Sequence, residues 1–166
     1  MRPIPSPQRR ASFFMIGIIA IMTLTSCSSP PAGKDMTPSQ AKKSIVDIVE
    51  RSAHAIGGDW QVYSGPAVEI CGEDAPDEVR YSYIMERPAD GAATSESDIR
   101  QLEALWKDEG LRTFDYQSGG SDPFIGIRGK GGRVTTIGFD ALPGGSTIVG
   151  TSTCAPGDLR ELREQE

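Results

Sequence analysis

Three cysteines, a single histidine and one knot of carboxylates are the residues from which this 166-residue chain could build chemistry. Their spacing excludes more than it offers. A zinc site needs three or four clustered His, Cys or carboxylate ligands, and His54 with Cys71 and Cys154 does not supply one. A serine hydrolase of the elbow type needs Gly-x-Ser-x-Gly, which does not occur in the sequence. His54 has Glu50 one turn before it on the polar side of a predicted helix, so it reads as solvated surface. Gly129-Lys130-Gly131-Gly132 carries the residue types of a phosphate loop without the Walker spacing or the Ser or Thr after the lysine, and reads as a hairpin turn. Glu73, Asp74, Asp77 and Glu78 lack the ligand alternation and central glycine of a calcium loop and read as a solvated segment. Neither a catalytic set, a metal nor a cofactor is therefore expected. Paired carboxylates that converge only in the fold are the one enzymatic arrangement still open.

Cys27 stands in a different context. Arg2, Arg9 and Arg10 precede it with no acidic residue among them, as in the first region of an export signal. Phe13–Leu24 (FFMIGIIAIMTL) follows, shorter than the roughly 18 residues a membrane span requires but of the length of a signal-peptide core. Leu24-Thr25-Ser26-Cys27 then resembles the lipobox of bacterial lipoprotein signal peptides. In that family the cysteine thiol takes a lipid and the peptide is cut just before it. The resemblance implies that residues 1–26 are a removed signal peptide and that Cys27 is the lipidated first residue of the mature protein.

The charge of the mature chain limits its partners. Cleavage removes three arginines and leaves 14 basic residues against 23 acidic, a net of −9. Nucleic acid and anionic headgroups would be repelled, so no nucleic-acid partner is expected and the membrane must be held through the lipid. Each buried methylene contributes about 0.8 kcal/mol, and two or more acyl chains hold a protein stably. Residues 27–36 have the Ser, Pro and Gly content of a short tether, 37–155 form one domain of about 120 residues, and 156–166 form a charged tail or a last helical turn.

The elements of that domain follow from periodicity. Thr37-Pro38-Ser39-Gln40 combines an N-cap, a first-turn proline and a capping-box glutamine, and predicts a helix to about Ile56 with Ala41, Ile45, Ile48 and Val49 on one side. Gly57-Gly58 stops it. Residues 59–64 and 67–71 read as two short strands, and Val79–Glu86 as a clearer one. A second one-sided helix runs from Ser95 to about Glu109 with Ile99, Leu102, Leu105 and Trp106 as its stripe. Strands over 111–116, 124–128, 133–139 and 146–154 are separated by glycine turns, which make neighbours antiparallel. Two one-sided helices and a strand meander predict an α+β two-layer sandwich, an antiparallel sheet with both helices on one face.

The order of lipobox, Pro-capped helix, Trp60, Cys71, a Tyr-containing strand, a helix with Trp106 and a closing strand with Cys154 resembles the LppA-like lipoproteins of actinobacteria over residues 24–155. That family has no established activity to carry over, so the resemblance implies location and fold. With Cys27 assigned to lipid in an exported protein, Cys71 and Cys154 are expected to form a disulfide. Trp60, Arg80, Tyr81 and Tyr83 are the residue types of binding surfaces. Tyr81 and Tyr83 alternate in phase with Val79 and Met85, which argues instead for the core. The reading is a non-catalytic, lipid-anchored module on the outer face of the cytoplasmic membrane that binds an envelope protein, a polymer or a small ligand. The alternative is a small envelope hydrolase, and a tethered protease inhibitor would require a rigid exposed loop.

Overall fold

The computed structural model describes residues 36–89, 95–120 and 124–165. The expected signal peptide, Cys27 and nearly all of the tether lie outside the described residues.

Helix α1 covers Pro38–Ile56, and its start is closed by the expected box: Gln40 N–H donates to Thr37 Oγ1 at 3.3 Å and Thr37 N–H donates to Gln40 Oε1 at 2.9 Å. Strands β1 (Gln61–Ile70) and β2 (Glu78–Pro88) form an antiparallel pair, and α2 (Ser95–Asp108) follows. The meander β3 (Arg112–Ser118), β4 (Phe124–Gly131), β5 (Val134–Leu142) and β6 (Gly145–Ser152) comes next, then the two-residue β7 (Ala155–Pro156) and α3 (Leu159–Arg163). The fold is α+β, a seven-stranded antiparallel sheet ordered β1-β2-β6-β5-β4-β3 with β7 beside β2, together with three helices. None of the helices among the described residues is long and apolar enough to cross a membrane.

Period-two alternation builds the core. Val79, Tyr81, Tyr83 and Met85 of β2, Ile148 of β6, Ile137 and Phe139 of β5 and Ile127 of β4 are all buried. α1 lies against β2, β5 and β6, α2 lies against β3 and β4, and the two helices touch each other. Where they meet, the buried Trp106 indole donates to Ser52 Oγ at 2.9 Å, and Ser52 donates to Ile48 O at 2.7 Å. The indole N–H is thus satisfied inside the apolar layer. Gly150 lets α1 sit this low on β6, since a Cβ there would come within 2.5 Å of Ile45 Cδ1 and 2.7 Å of Val49 Cγ2.

A buried ion pair fixes α2 to β2. Arg87 Nη2 donates to Asp98 Oδ2 at 2.6 Å, with side chains only 12% and 4% exposed, while Arg87 Nη1 donates to Gly57 O at 2.9 Å.

One expectation needs correction. The stretch read as two short strands is one strand, because the chain pairs with β2 on both sides of Gly65-Pro66, Val62 opposite Met85 before it and Ala67 opposite Ser82 after it. Two register shifts absorb the proline instead of ending the strand. For the closing charged segment, of the two alternatives the helical turn is the one present: α3 packs on β1, Leu159 and Leu162 rest on the core, and β7 extends the sheet just before it.

Candidate binding face

The second set of alternating residues on the strands has a different character. Between the buried positions stand Arg80, Ser82 and Ile84 on β2, Thr147 and Val149 on β6, and Gly138, Asp140 and Leu142 on β5. Across the β4–β3 ladder the same parity gives Phe124, Gly126, Arg128 and Lys130 facing Ser118, Tyr116, Phe114 and Arg112. Phe114 is 47% exposed, Tyr116 36%, Leu142 40% and Val149 38%, values that leave large apolar groups in water. Scattered apolar residues would mean nothing, but these share one side of the sheet with four cations, Arg80, Arg112, Arg128 and Lys130.

The cations are organised around the rings. Arg128 lies over Tyr116 with its Cζ 4.1 Å from the ring centroid, and Lys130 Nζ stands 5.7 Å from the Phe114 centroid. Tyr116 and Phe124 tilt against each other at 6.0 Å. Arg128 Nη2 donates to both oxygens of Asp140, at 2.8 and 3.1 Å, and Arg128 Nη1 donates to Phe139 O at 3.1 Å. Glycine makes this possible, since a Cβ at position 138 would meet the Arg128 side chain at 3.0 to 3.2 Å. Arg112 and Lys130 have no carboxylate partner among the described residues. The β3–β4 part of this side is therefore cationic and aromatic in a chain of net charge −6.

The residues singled out from the sequence fall into separate places. Tyr81 and Tyr83 are each 3% exposed and belong to the core, so they form no recognition surface. Burial raises the Tyr83 hydroxyl above its usual pKa, and the neighbouring Glu50 carboxylate, which accepts its hydrogen bond at 3.3 Å, raises it further. Trp60 is half-buried, donates Nε1–H to Gly57 O at 2.9 Å and supports the Arg87 guanidinium at 4.9 Å, which makes it part of the α1 terminus. Arg80 does lie on the second face, half-buried, where Glu69 accepts from both Arg80 Nε at 3.3 Å and Ser82 Oγ at 2.7 Å. Phe114, Tyr116, Phe124 and Arg128 are not among the candidates the sequence offers, and Lys130 is read there only as part of a hairpin turn. Their signal was the i, i+2 spacing of Arg112, Phe114 and Tyr116 on one strand, and of Arg128 and Lys130 on the strand that the glycine turn must bring beside it.

Cys71 and Cys154 form a disulfide with Cα atoms 5.8 Å apart. Their sulfurs and the Glu78 carboxylate are the one group with metal-like clustering among the described residues, and the thiols are committed to each other. A groove of about 590 Å³ runs beside the second half of α1, lined by Asp47, Glu50, His54, Arg51, Glu109 and Arg133 among others. Its carboxylates are engaged: Asp47 with Lys43 at 2.6 Å, Glu109 with Arg51 at 2.6 Å, and Glu50 with the Tyr83 hydroxyl. His54 is exposed and makes no hydrogen bond with them.

No protein-family model matches the chain, and no curated protein matches it. Its fold is similar to that of a crystallised DUF4853 family protein from Actinomyces odontolyticus, with a TM-score of 0.53 over 76% of this chain and 73% of that one, at 18% identity. That likeness concerns the fold alone.

Proposed function

We propose that the chain is a lipid-anchored lipoprotein of the LppA-like kind on the outer face of the cytoplasmic membrane, acting as a non-catalytic binding module. Its domain is a two-layer sandwich in which α1 and α2 share one side of the sheet and the other side is the working surface. The observation that carries this reading is the row of exposed rings and cations on β3 and β4, which contributes nothing to the core and is held in place by specific contacts. Aromatic and arginine side chains supply most of the binding energy at protein surfaces. The lipobox, the positively charged leader and the residue order shared with LppA-like lipoproteins support the location. The engaged carboxylates of the α1 groove favour binding over hydrolysis.

Two experiments test it. Metabolic labelling with a fatty-acid analogue should mark the wild type and not Cys27→Ser, and equal labelling would remove the anchor. A photo-reactive side chain placed at Phe114 should give a discrete cross-linked adduct in intact cells, reduced by Tyr116→Ser. An adduct formed only from a probe at His54 would move the function to the α1 groove.

A further inference from the structure

The two edges of the sheet differ. β1 has two register shifts, and Pro66 has no N–H to offer a neighbour, devices that blunt an edge. β3 pairs with β4 in unbroken register from Arg112 to Ser118, and none of the described strands lies on its other side. Its outward N–H and C=O groups are a template for one more strand.

What lies on either side of that edge describes the strand that fits. On the sheet side, Arg112, Phe114 and Tyr116 stand on β3 itself, backed by Lys130 and Arg128 on β4. Neither strand places a carboxylate there, and Asp140 of β5 neutralises only Arg128, so Arg112 and Lys130 leave two positive charges. Side chains of an added strand would stand about 4.5 to 5.5 Å from the β3 row, within reach of both. On the helix side, a groove of about 520 Å³ separates α2 from β3, with Ile99 and Ile125 as its apolar part and three carboxylates around them, Glu96 paired to Arg100, Glu103 paired to Lys107, and Asp115 of β3, so this side takes apolar side chains and not acidic ones.

We propose that β3 takes up an extended acidic segment of a partner polypeptide as an additional strand. Carboxylates at alternate positions lie over Arg112, Lys130 and the rings, and apolar side chains between them enter the α2 groove. The charge complementarity is local, because the chain as a whole carries −6. A sugar polymer would use the rings and cations but neither the backbone edge nor the groove. The proposal rests on the binding-module reading and names the partner class for it.

The test uses the full processed, lipidated chain in neutral detergent and a fluorescent nine-residue peptide of alternating glutamate and valine, read by anisotropy. A lysine and valine counterpart should bind at least tenfold more weakly, and combining Arg112→Glu with Lys130→Glu should reverse that order. N-methylation of all glutamates blocks one backbone edge of the peptide, and N-methylation of all valines blocks the other. One methylated form should keep its affinity while the other loses at least tenfold. Retention by both forms would show that charge alone attracts the peptide and would overturn strand addition. Tighter binding of polygalacturonate than of the peptide would assign the face to a sugar polymer. A dimer dissociated by Arg112→Glu in sedimentation would assign it to a second copy. If the adduct from position 114 persists in cells while the peptide fails to bind, strand addition falls and the binding-module reading stands.

Discussion

Arg87→Met should be among the most damaging single substitutions in this domain. The guanidinium is 12% exposed and the Asp98 carboxylate 4%, so the pair lies almost entirely out of water. Removing one partner of a buried pair costs about 3 to 5 kcal/mol, because the remaining charge stays out of water without its ionic partner. The loss here includes the 2.6 Å bond to Asp98, the 2.9 Å bond to Gly57 O and the stack on Trp60. The stack contributes about 0.5 to 1 kcal/mol of it. Against a total stability of about 5 to 15 kcal/mol, a loss near 4 kcal/mol lowers Tm by about 12 to 20 °C in a domain of this size. Urea unfolding should show a lower midpoint at unchanged slope. Arg87→Met combined with Asp98→Leu should recover more than half of the loss, since it also removes the buried carboxylate that the guanidinium had balanced and fills its place. A single-mutant loss below about 1 kcal/mol, the range of exposed pairs, would refute the reasoning, as would a double mutant less stable than the single.

Three more outcomes follow from the same structure. Cys71→Ser and Cys154→Ser should destabilise equally, by about 4 to 5 kcal/mol on chain-entropy grounds, because the bridge closes a loop of 83 residues; unequal losses in calorimetry would point to separate roles for the two cysteines. Because the folded pKa of Tyr83 lies above the ordinary 10.0, its contribution is complete below about pH 10 and is lost as pH rises from there through the folded value. Tyr83→Phe should therefore flatten the alkaline decline of the urea midpoint, and parallel declines would show that another group titrates there. His54→Ala, an exposed change, should leave the midpoint within about 0.5 kcal/mol of wild type, and a larger shift would mean that the histidine holds the α1 groove together.

Local signals located most elements, and pairing decided the rest. Thr37, Pro38 and Gln40 announce α1 because the capping box is a contact between near neighbours. The phase of Val79, Tyr81, Tyr83 and Met85 likewise carries their burial, although β2 ends at Pro88, two residues beyond the expected Glu86. Gly65-Pro66 misleads because a proline breaks a strand only when its missing N–H is needed, and among the described residues no strand pairs with the outer side of β1. The surface row on β3 and β4 was harder still. Phe114 and Tyr116 look like core residues until Thr113, Asp115 and Gln117 are seen to take the parity that meets Gly129, Ile127 and Ile125. Only the register, which depends on the β3–β4 connection, turns the rings to the other side.

The Arg128 side chain has a consequence for affinity. It is clamped by Asp140, by the Phe139 carbonyl, by the Tyr116 ring above it and by the bare backbone of Gly138 beneath. A long side chain that is immobilised on binding normally loses about 0.5 to 1.5 kcal/mol of rotamer entropy. Arg128 has lost that freedom during folding, with the Tyr116 ring stacked on its guanidinium. A partner that settles on this spot meets an arginine already held in one position, flanked by Arg112 and Lys130, which no carboxylate among the described residues holds. Tight binding should therefore be centred on Tyr116 and Arg128, with the outer cations governing how fast a partner arrives rather than how long it stays.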